Sequence, residues 1–263
     1  MLPDSHMHTE FSGDSTTPVE EMVETAIRLG MNSICVTDHH DPDFWDSDFL
    51  LDADAYWKKM RRIQETYRDR IQVRIGVEIG LQAHLHEEIS QFIQAYPYDF
   101  VIGSMHLVDG IDPYERDRYP GTDREMYRRY FEDTLDSIRA NDGFQSLGHL
   151  DYIVRYGWER EKAYSLQELG DIIDEILKEL VSRQIALEIN TGGYKSGIGF
   201  PNPHPEVLRR YRELGGELVT LGADAHVPSY IGYEFDRAVE VLKNTGFSHI
   251  AVYTGQKAEF IAV

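Results

Sequence analysis

Cysteine is nearly absent. Cys35 stands alone in 263 residues, so an internal disulfide framework is excluded and the reducing cytoplasm is the expected compartment. Positive charge is also scarce: 26 Lys and Arg face 46 Asp and Glu, a formal net charge of −20. A field of that sign repels duplex nucleic acid and anionic membrane surfaces, although bound cations would reverse it within one cleft. No apolar run approaches the ~20 residues that span a bilayer. The opening Met1-Leu2-Pro3-Asp4-Ser5-His6 has neither a basic nor an apolar stretch, so no signal peptide is expected. The motifs GxGxxG, GxxxxGK(S/T) and GxSxG are all missing, which removes the usual nucleotide-binding loops and the commonest serine-hydrolase signature. There is no Pro-, Gly- or Ser-rich linker and no repeat, so residues 1–263 read as one domain.

What is present is a regular alternation. Apolar or β-branched runs recur at Leu2–Ser5, Ser33–Thr37, Val73–Ile79, Phe100–Ser104, Ser146–Gly148, Ile185–Ile189, Leu218–Leu221 and Ile250–Tyr253. Helix starts lie between them: Thr17-Pro18-Val19-Glu20, Thr122-Asp123-Arg124-Glu125 and Ser165-Leu166-Gln167-Glu168 each offer an N-cap with a carboxylate three residues on. Gly30, Gly215 and Gly246 stand where helices would stop before a strand. Seven or eight such units imply parallel βαβ pairing in a (β/α) barrel rather than an open sheet. Three long segments, Leu107–Gly121, Tyr152–Ala163 and Gly192–Pro205, each follow a strand and would crowd the same rim.

The histidines sit on that skeleton in a pattern. His6 and His8 follow the first run, and Asp14 comes six residues later. His39, Glu78, His106 and His149 end the next four runs, and Asp224 with His226 closes the seventh. In a parallel barrel these strand ends converge on one face. Six imidazoles and three carboxylates gathered there would be costly to desolvate unless they share divalent cations, and nine such residues suffice for two or three ions. The remaining histidines, His40, His84, His86, His204 and His249, fall outside the pattern and are read as ordinary core or surface residues. Cys35, placed mid-strand, is read as a small core residue and not as a nucleophile.

His6-Met7-His8, Thr37-Asp38-His39, Gly76-Val77-Glu78, Ser104-Met105-His106, Gly148-His149 and Gly222-Ala223-Asp224-Ala225-His226, in that order, resemble the polymerase and histidinol phosphatase (PHP) superfamily of metal phosphoesterases. Gly148-His149-Leu150-Asp151 and Leu187-Glu188-Ile189-Asn190-Thr191-Gly192 look like its histidinol-phosphatase branch. The resemblance implies a distorted barrel of seven β/α units with the metal site at the C-terminal rim. It implies that His6, His8, Glu78 and Asp224 hold one ion, that Glu78 bridges to a second held by His106 and His149, and that Asp14, His39 and His226 hold a third. Zn, Mn or Fe would serve, and Asp14 replaces a histidine found in some relatives. Glu78, Asp224 and His226 would be the catalytic centre, with Arg155 and Lys195 contacting the substrate phosphate.

The chemistry expected of such a cluster follows from charge. Phosphate-monoester hydrolysis needs up to ~10²¹-fold acceleration. Clustered ions neutralise the phosphoryl oxygens and bring the pKa of bound water from 15.7 towards ~7. The resemblance therefore implies a metal-dependent phosphomonoesterase acting on a small phosphorylated substrate, histidinol phosphate in histidine biosynthesis. The acidic Asp109, Asp112, Glu115 and Asp117 would suit a cationic leaving group. Competing readings are the same chemistry on a nucleotide, sugar phosphate or oligonucleotide end, and an inactive metal-binding scaffold. A metal amidohydrolase would use a bridging lysine, and no strand end carries one.

Overall fold

The computed structural model describes residues 1–263. Strands β1 (Ser33–Val36), β2 (His39–His40), β3 (Gln72–Gly80), β4 (Phe100–Ser104), β5 (Ser146–Leu147), β6 (Ala186–Asn190) and β7 (Val219–Gly222) form one parallel sheet in the order β1-β3-β4-β5-β6-β7. β2 also pairs with β3, so β1 and β2 are one strand interrupted at Thr37-Asp38. Asp4 and Met7 make single parallel bridges to Ile34 and Ala225. Main-chain bonds from Ser5 N to Leu221 O and from Cys35 N to Asp4 O, at 3.0 and 2.9 Å, stitch this N-terminal segment between β7 and β1. It takes the seventh position, and a distorted (β/α)7 TIM-like barrel results.

The helices are α1 (Val19–Arg28), α2 (Ala53–Tyr67), α3 (His86–Ala95), α4 (Asp123–Ala140), α5 (Leu166–Arg183), α6 (Gly192–Lys195), α7 (Pro205–Glu213) and α8 (Phe235–Asn244). Their apolar faces meet the outward side chains of the strands in a cluster of 60 buried residues. α4 begins with the full capping box expected from Thr122 and Glu125. At α5, Ser165 caps Gln167 N, but Glu168 pairs across with Arg124 instead of reaching back. α1 departs further. Pro18 occupies the N-cap, Glu10 accepts from Val19 N at 2.6 Å, and the Thr17 hydroxyl donates to His226 O. That loop is recruited to the site, so the helix is capped from elsewhere. Gly30, at φ +76°, ends α1 in the left-handed conformation that frees Met31 N to bond Ala26 O.

The last expected strand is not a barrel strand. β8 (His249–Thr254) pairs antiparallel with β9 (Lys257–Ala262), a strand the apolar pattern did not announce because its residues are mostly exposed. The turn between them docks on Asp99, beside the start of β4, through Gly255 N and Gln256 N. Ala251 and Tyr253 thereby pack with Cys35, Phe100, Ile102 and Ala186, drawn from β1, β4 and β6. Residues of one parity point into the barrel, so the interior is layered. Tyr253 and its neighbours plug the floor, a Ser146–Thr220 hydroxyl pair lies at 2.7 Å, and the ionisable groups crown the C-terminal mouth. No helix is long and apolar enough to cross a membrane.

Candidate metal centre

Glu78, near the end of β3, is fully buried and lies at the middle of the mouth. Its Oε2 faces one pole: His6 Nε2 at 3.2 Å and His8 Nε2 at 3.5 Å, with Asp224 Oδ1 3.8 and 3.3 Å from those same two nitrogens. Its Oε1 faces another: His149 Nε2 at 2.9 Å and His106 Nε2 at 3.4 Å. At a third pole, Asp14 Oδ2 is 2.9 Å from His226 Nε2 and 3.8 Å from His39 Nε2. Donors around one ion, bonded at ~2.0–2.2 Å, stand ~3.0–3.4 Å apart. The spacing at all three poles is of that order. The donors of the first two poles are buried, although Asp224, His106 and His149 also line the cleft, whereas the Asp14 side chain is 42% exposed.

Ligation fits these residues better than hydrogen bonding among themselves. His6 Nε2, His8 Nε2, His39 Nδ1, Glu78 Oε2 and His226 Nε2 are buried without a hydrogen-bond partner. The Nε2 atoms of His106 and His149 face each other at 3.5 Å, where at most one can donate. Unpartnered buried donors and acceptors are expensive, and cations shared at these poles would satisfy them. At four of the six histidines the opposite ring nitrogen is already engaged, whereas His149 Nδ1 is itself unpartnered. His6 Nδ1 meets Glu188 at 2.7 Å, His8 Nδ1 meets the Ser12 hydroxyl at 3.0 Å, His106 Nδ1 meets Asp41 at 3.0 Å and His226 Nδ1 meets Asp224 O at 3.1 Å. Each such bond turns the Nε2 lone pair towards the centre.

The electrostatics carry the same signature. Burial alone would raise the pKa of Glu78, yet His6, His106 and His39 hold it well below the usual carboxylate range. Burial works likewise against Asp224 and is outweighed by His6, His8 and His226. Burial would lower His39, but Glu78, Asp41 and Asp14 raise it to about 9. His8 goes the other way: burial, with the His226 and His39 rings close by at centroid distances of 4.1 and 4.2 Å, pushes it well below the usual histidine value. Asp224 is held at φ +55°, a costly left-handed conformation for a non-glycine residue.

All nine sequence-derived ligand residues thus meet at one mouth. Asp14 is peripheral, approaching only His39 and His226. Arg155 and Lys195 both line a cleft of about 670 Å³ above them. Arg155 is fixed: Nε and one terminal nitrogen donate to Asn202 Oδ1 at 3.0 and 2.7 Å, and the other terminal nitrogen lies 3.8 Å from Asp224. Lys195 is exposed, its Nζ 4.5 Å over the Tyr230 ring. Of the four acidic loop residues, Asp112 lines the cleft, while Asp109 binds Arg129 and Glu115 binds Arg118 elsewhere. Arg116, on the first of the three long loops, is buried, bound to Asp123 at 2.8 Å and stacked on Trp158 at 3.9 Å. His40 turns away and stacks on Phe92, and His84 pairs with Asp43 at the surface.

Sequence reasoning passed over the residues behind the ligands. Glu188 lies mid-strand, and its parity with Asn190 on β6 is the signal that it faces inward. Asp41 follows the His39-His40 pair directly and lies 3.7 Å from His39 Nδ1 as well as against His106. Ser104 donates to Glu78 Oε1 at 2.6 Å, and Ser12 is held by Asp38 at 2.6 Å.

A closed parallel α/β barrel with nine His, Asp and Glu side chains gathered at its C-terminal mouth defines a protein with a candidate metal site. The chain belongs to the PHP domain family, whose model matches residues 4–192. It is 34% identical to a histidinol-phosphatase of Lactococcus lactis subsp. lactis over 97% of this chain and 96% of that one. It is 35% identical to a probable histidinol-phosphatase of Clostridium acetobutylicum over 93% and 94%. A crystal structure of histidinol phosphate phosphatase from Lactococcus lactis subsp. lactis, complexed with zinc, L-histidinol and phosphate, superposes with a TM-score of 0.90 at 34% identity, covering 98% of this chain and 100% of that one.

Proposed function

We propose that this chain is a metal-dependent phosphomonoesterase that hydrolyses L-histidinol phosphate to L-histidinol and phosphate. The observation that carries the reading is the convergence of unpartnered buried donors on Glu78 beneath an open cleft. Similarity to a relative whose structure holds zinc, L-histidinol and phosphate supplies the substrate. The ions are two or three of the Zn, Mn or Fe type. His6, His8, Glu78 and Asp224 would hold the first, Glu78 with His106 and His149 the second, and Asp14, His39 and His226 the third. When bound, such ions would neutralise phosphoryl oxygens and lower the pKa of water so that hydroxide is available as the nucleophile near neutral pH.

The chain's own residues set the geometry of that attack. Arg155, with two nitrogens tied to Asn202, presents the third towards Asp224 and the cleft, where it orients a phosphoryl oxygen. Lys195 adds a point charge at the rim. Phe44, Phe49, Tyr114, Tyr152 and Tyr156 line the cleft with Asp112, a setting suited to an imidazole-bearing cationic alcohol. Water's oxygen forms the new bond to phosphorus, the ester P–O bond breaks, and histidinol's hydroxyl oxygen leaves with a proton. The enzyme works as a single PHP-type barrel in the cytoplasm, in keeping with its single buried, unpaired cysteine.

The test pairs elemental analysis of the purified protein with phosphate release from histidinol phosphate before and after chelation. Two to three ions per chain, with turnover lost to chelator and restored by Zn²⁺, Mn²⁺ or Fe²⁺, is the expected result. Absence of bound metal with no rescue would overturn the reading.

A further inference from the structure

Glu188 lies on β6 below the metal donors, 1% exposed, and it makes no contact with the cleft. Its two oxygens receive three donors. Oε1 accepts from His6 Nδ1 at 2.7 Å, while Oε2 accepts from the main-chain N–H of His149 at 2.8 Å and from Asn190 Nδ2 at 3.1 Å. His6 belongs to the first pole and His149 to the second, and the two sit on opposite sides of Glu78. Gly222 on the neighbouring strand makes room for this contact. A Cβ there would stand 2.3 Å from His6 Cβ and 2.6 Å from Glu188 Oε1. The arrangement is a carboxylate clamp reaching from one pole to the other through the barrel interior.

We propose that Glu188 is a positioning residue that couples the two buried metal poles. It fixes the His6 tautomer with its Nε2 lone pair free, and it pins the His149 main chain. The inference rests on the metal-site reading above. Its logic is one of donors and acceptors. A carboxylate can accept from all three partners, whereas an amide cannot. In Glu188→Gln, either the amide nitrogen faces His6 Nδ1 or it faces His149 N–H and Asn190. The first orientation drives His6 to carry its proton on Nε2, which blocks the ligand lone pair. The second sets donor against donor and releases the His149 main chain.

The experiment titrates Zn²⁺ into metal-free wild type, Glu188→Gln and Glu188→Asp in competition with a chelating dye, alongside imidazole ¹⁵N spectra of the metal-free proteins. The expected result is a ~10–100-fold loss of affinity at the tight sites in Glu188→Gln, the range typical of residues that orient metal ligands. It is accompanied by one histidine changing tautomer, while circular dichroism stays native. Glu188→Asp, which keeps the charge but shortens the reach, should lie between, and it decides the matter if Glu188→Gln does not fold. Unchanged affinity and tautomer in the folded variant would overturn the coupling. Failure of wild type itself to bind Zn²⁺ would overturn the metal-site reading instead.

Discussion

Arg155 and Lys195 are both cations at the same rim, yet the structure prepares them differently. Arg155 has its rotamer set by two bonds to Asn202, so little side-chain entropy remains to be lost on binding phosphate. Lys195 stands exposed over Tyr230. Arg155→Ala should therefore raise KM for the phosphate ester and weaken inhibition by inorganic phosphate by ~10–100-fold, about 1.4–2.7 kcal/mol. Steady-state kinetics with phosphate as inhibitor would show this, and unchanged values would reduce Arg155 to structural charge. His40 illustrates the opposite use of an imidazole. Its ring lies 3.5 Å from that of Phe92, its Nδ1 accepts from Leu51 N, and burial lowers its pKa from 6.5 to about 4. Above pH 6.5 the group is neutral whether the chain is folded or not. As pH falls towards 4, the unfolded chain takes up a proton that the fold refuses, and up to about 3 kcal/mol of stability is lost. Metal-free His40→Gln should show a flatter fall in Tm than metal-free wild type between pH 6.5 and 4; parallel curves would disprove the assignment.

At the scale of elements, strand ends were the legible part. Val73–Ile79 and Phe100–Ser104 are apolar runs closed by Glu78 and His106, and β3 and β4 occupy nearly those residues. A ligand that ends an apolar strand can be seen in sequence because the strand's own pattern supplies its position. Glu188, Asp41 and Arg116 could not be seen that way. Each is a charged residue whose partner lies in another element, and local pattern says nothing of that partner. The same limit explains the ends of the chain. Leu2–Ser5 and Ile250–Tyr253 read alike as short apolar runs, yet the first joins the barrel wall while the second turns beneath it. What separates them is β9, which gives β8 an antiparallel partner and leaves its inward side chains to fill the floor. Tyr253 stacks on Phe100 with centroids 5.2 Å apart and planes 8° from parallel. Tyr253→Ala should then cost of the order of 3 kcal/mol, as truncation of a buried aromatic does. Chemical denaturation would report it as a lower midpoint at unchanged slope. A loss below about 1 kcal/mol would mean that the hairpin is an appendage and not a plug.

The whole molecule carries a formal net charge of −20, and charge so far from zero repels itself. Many acidic residues are paired at the surface, as in Arg70 with Glu24 and Arg128 with Asp171. Such exposed pairs contribute ~0–1 kcal/mol each and weaken with salt. The unbalanced charge acts in the opposite sense. At ~0.01 M ionic strength the Debye length is ~30 Å, so acidic groups across the barrel repel one another, and at ~0.15 M it falls to ~8 Å. Because the excess of negative charge is so large, relief of repulsion should outweigh the loss of surface pairs. The Tm of the metal-free protein should therefore rise by several degrees between these two salt concentrations. Two or three divalent ions supply about +4 to +6 at the place where the acidic groups converge. The metal-loaded protein should start from a higher Tm and respond less to the same change in salt. Differential scanning calorimetry on both forms separates the cases. A metal-free Tm that is flat or falls with salt would show that paired surface charge, and not net charge, governs the molecule's electrostatic stability.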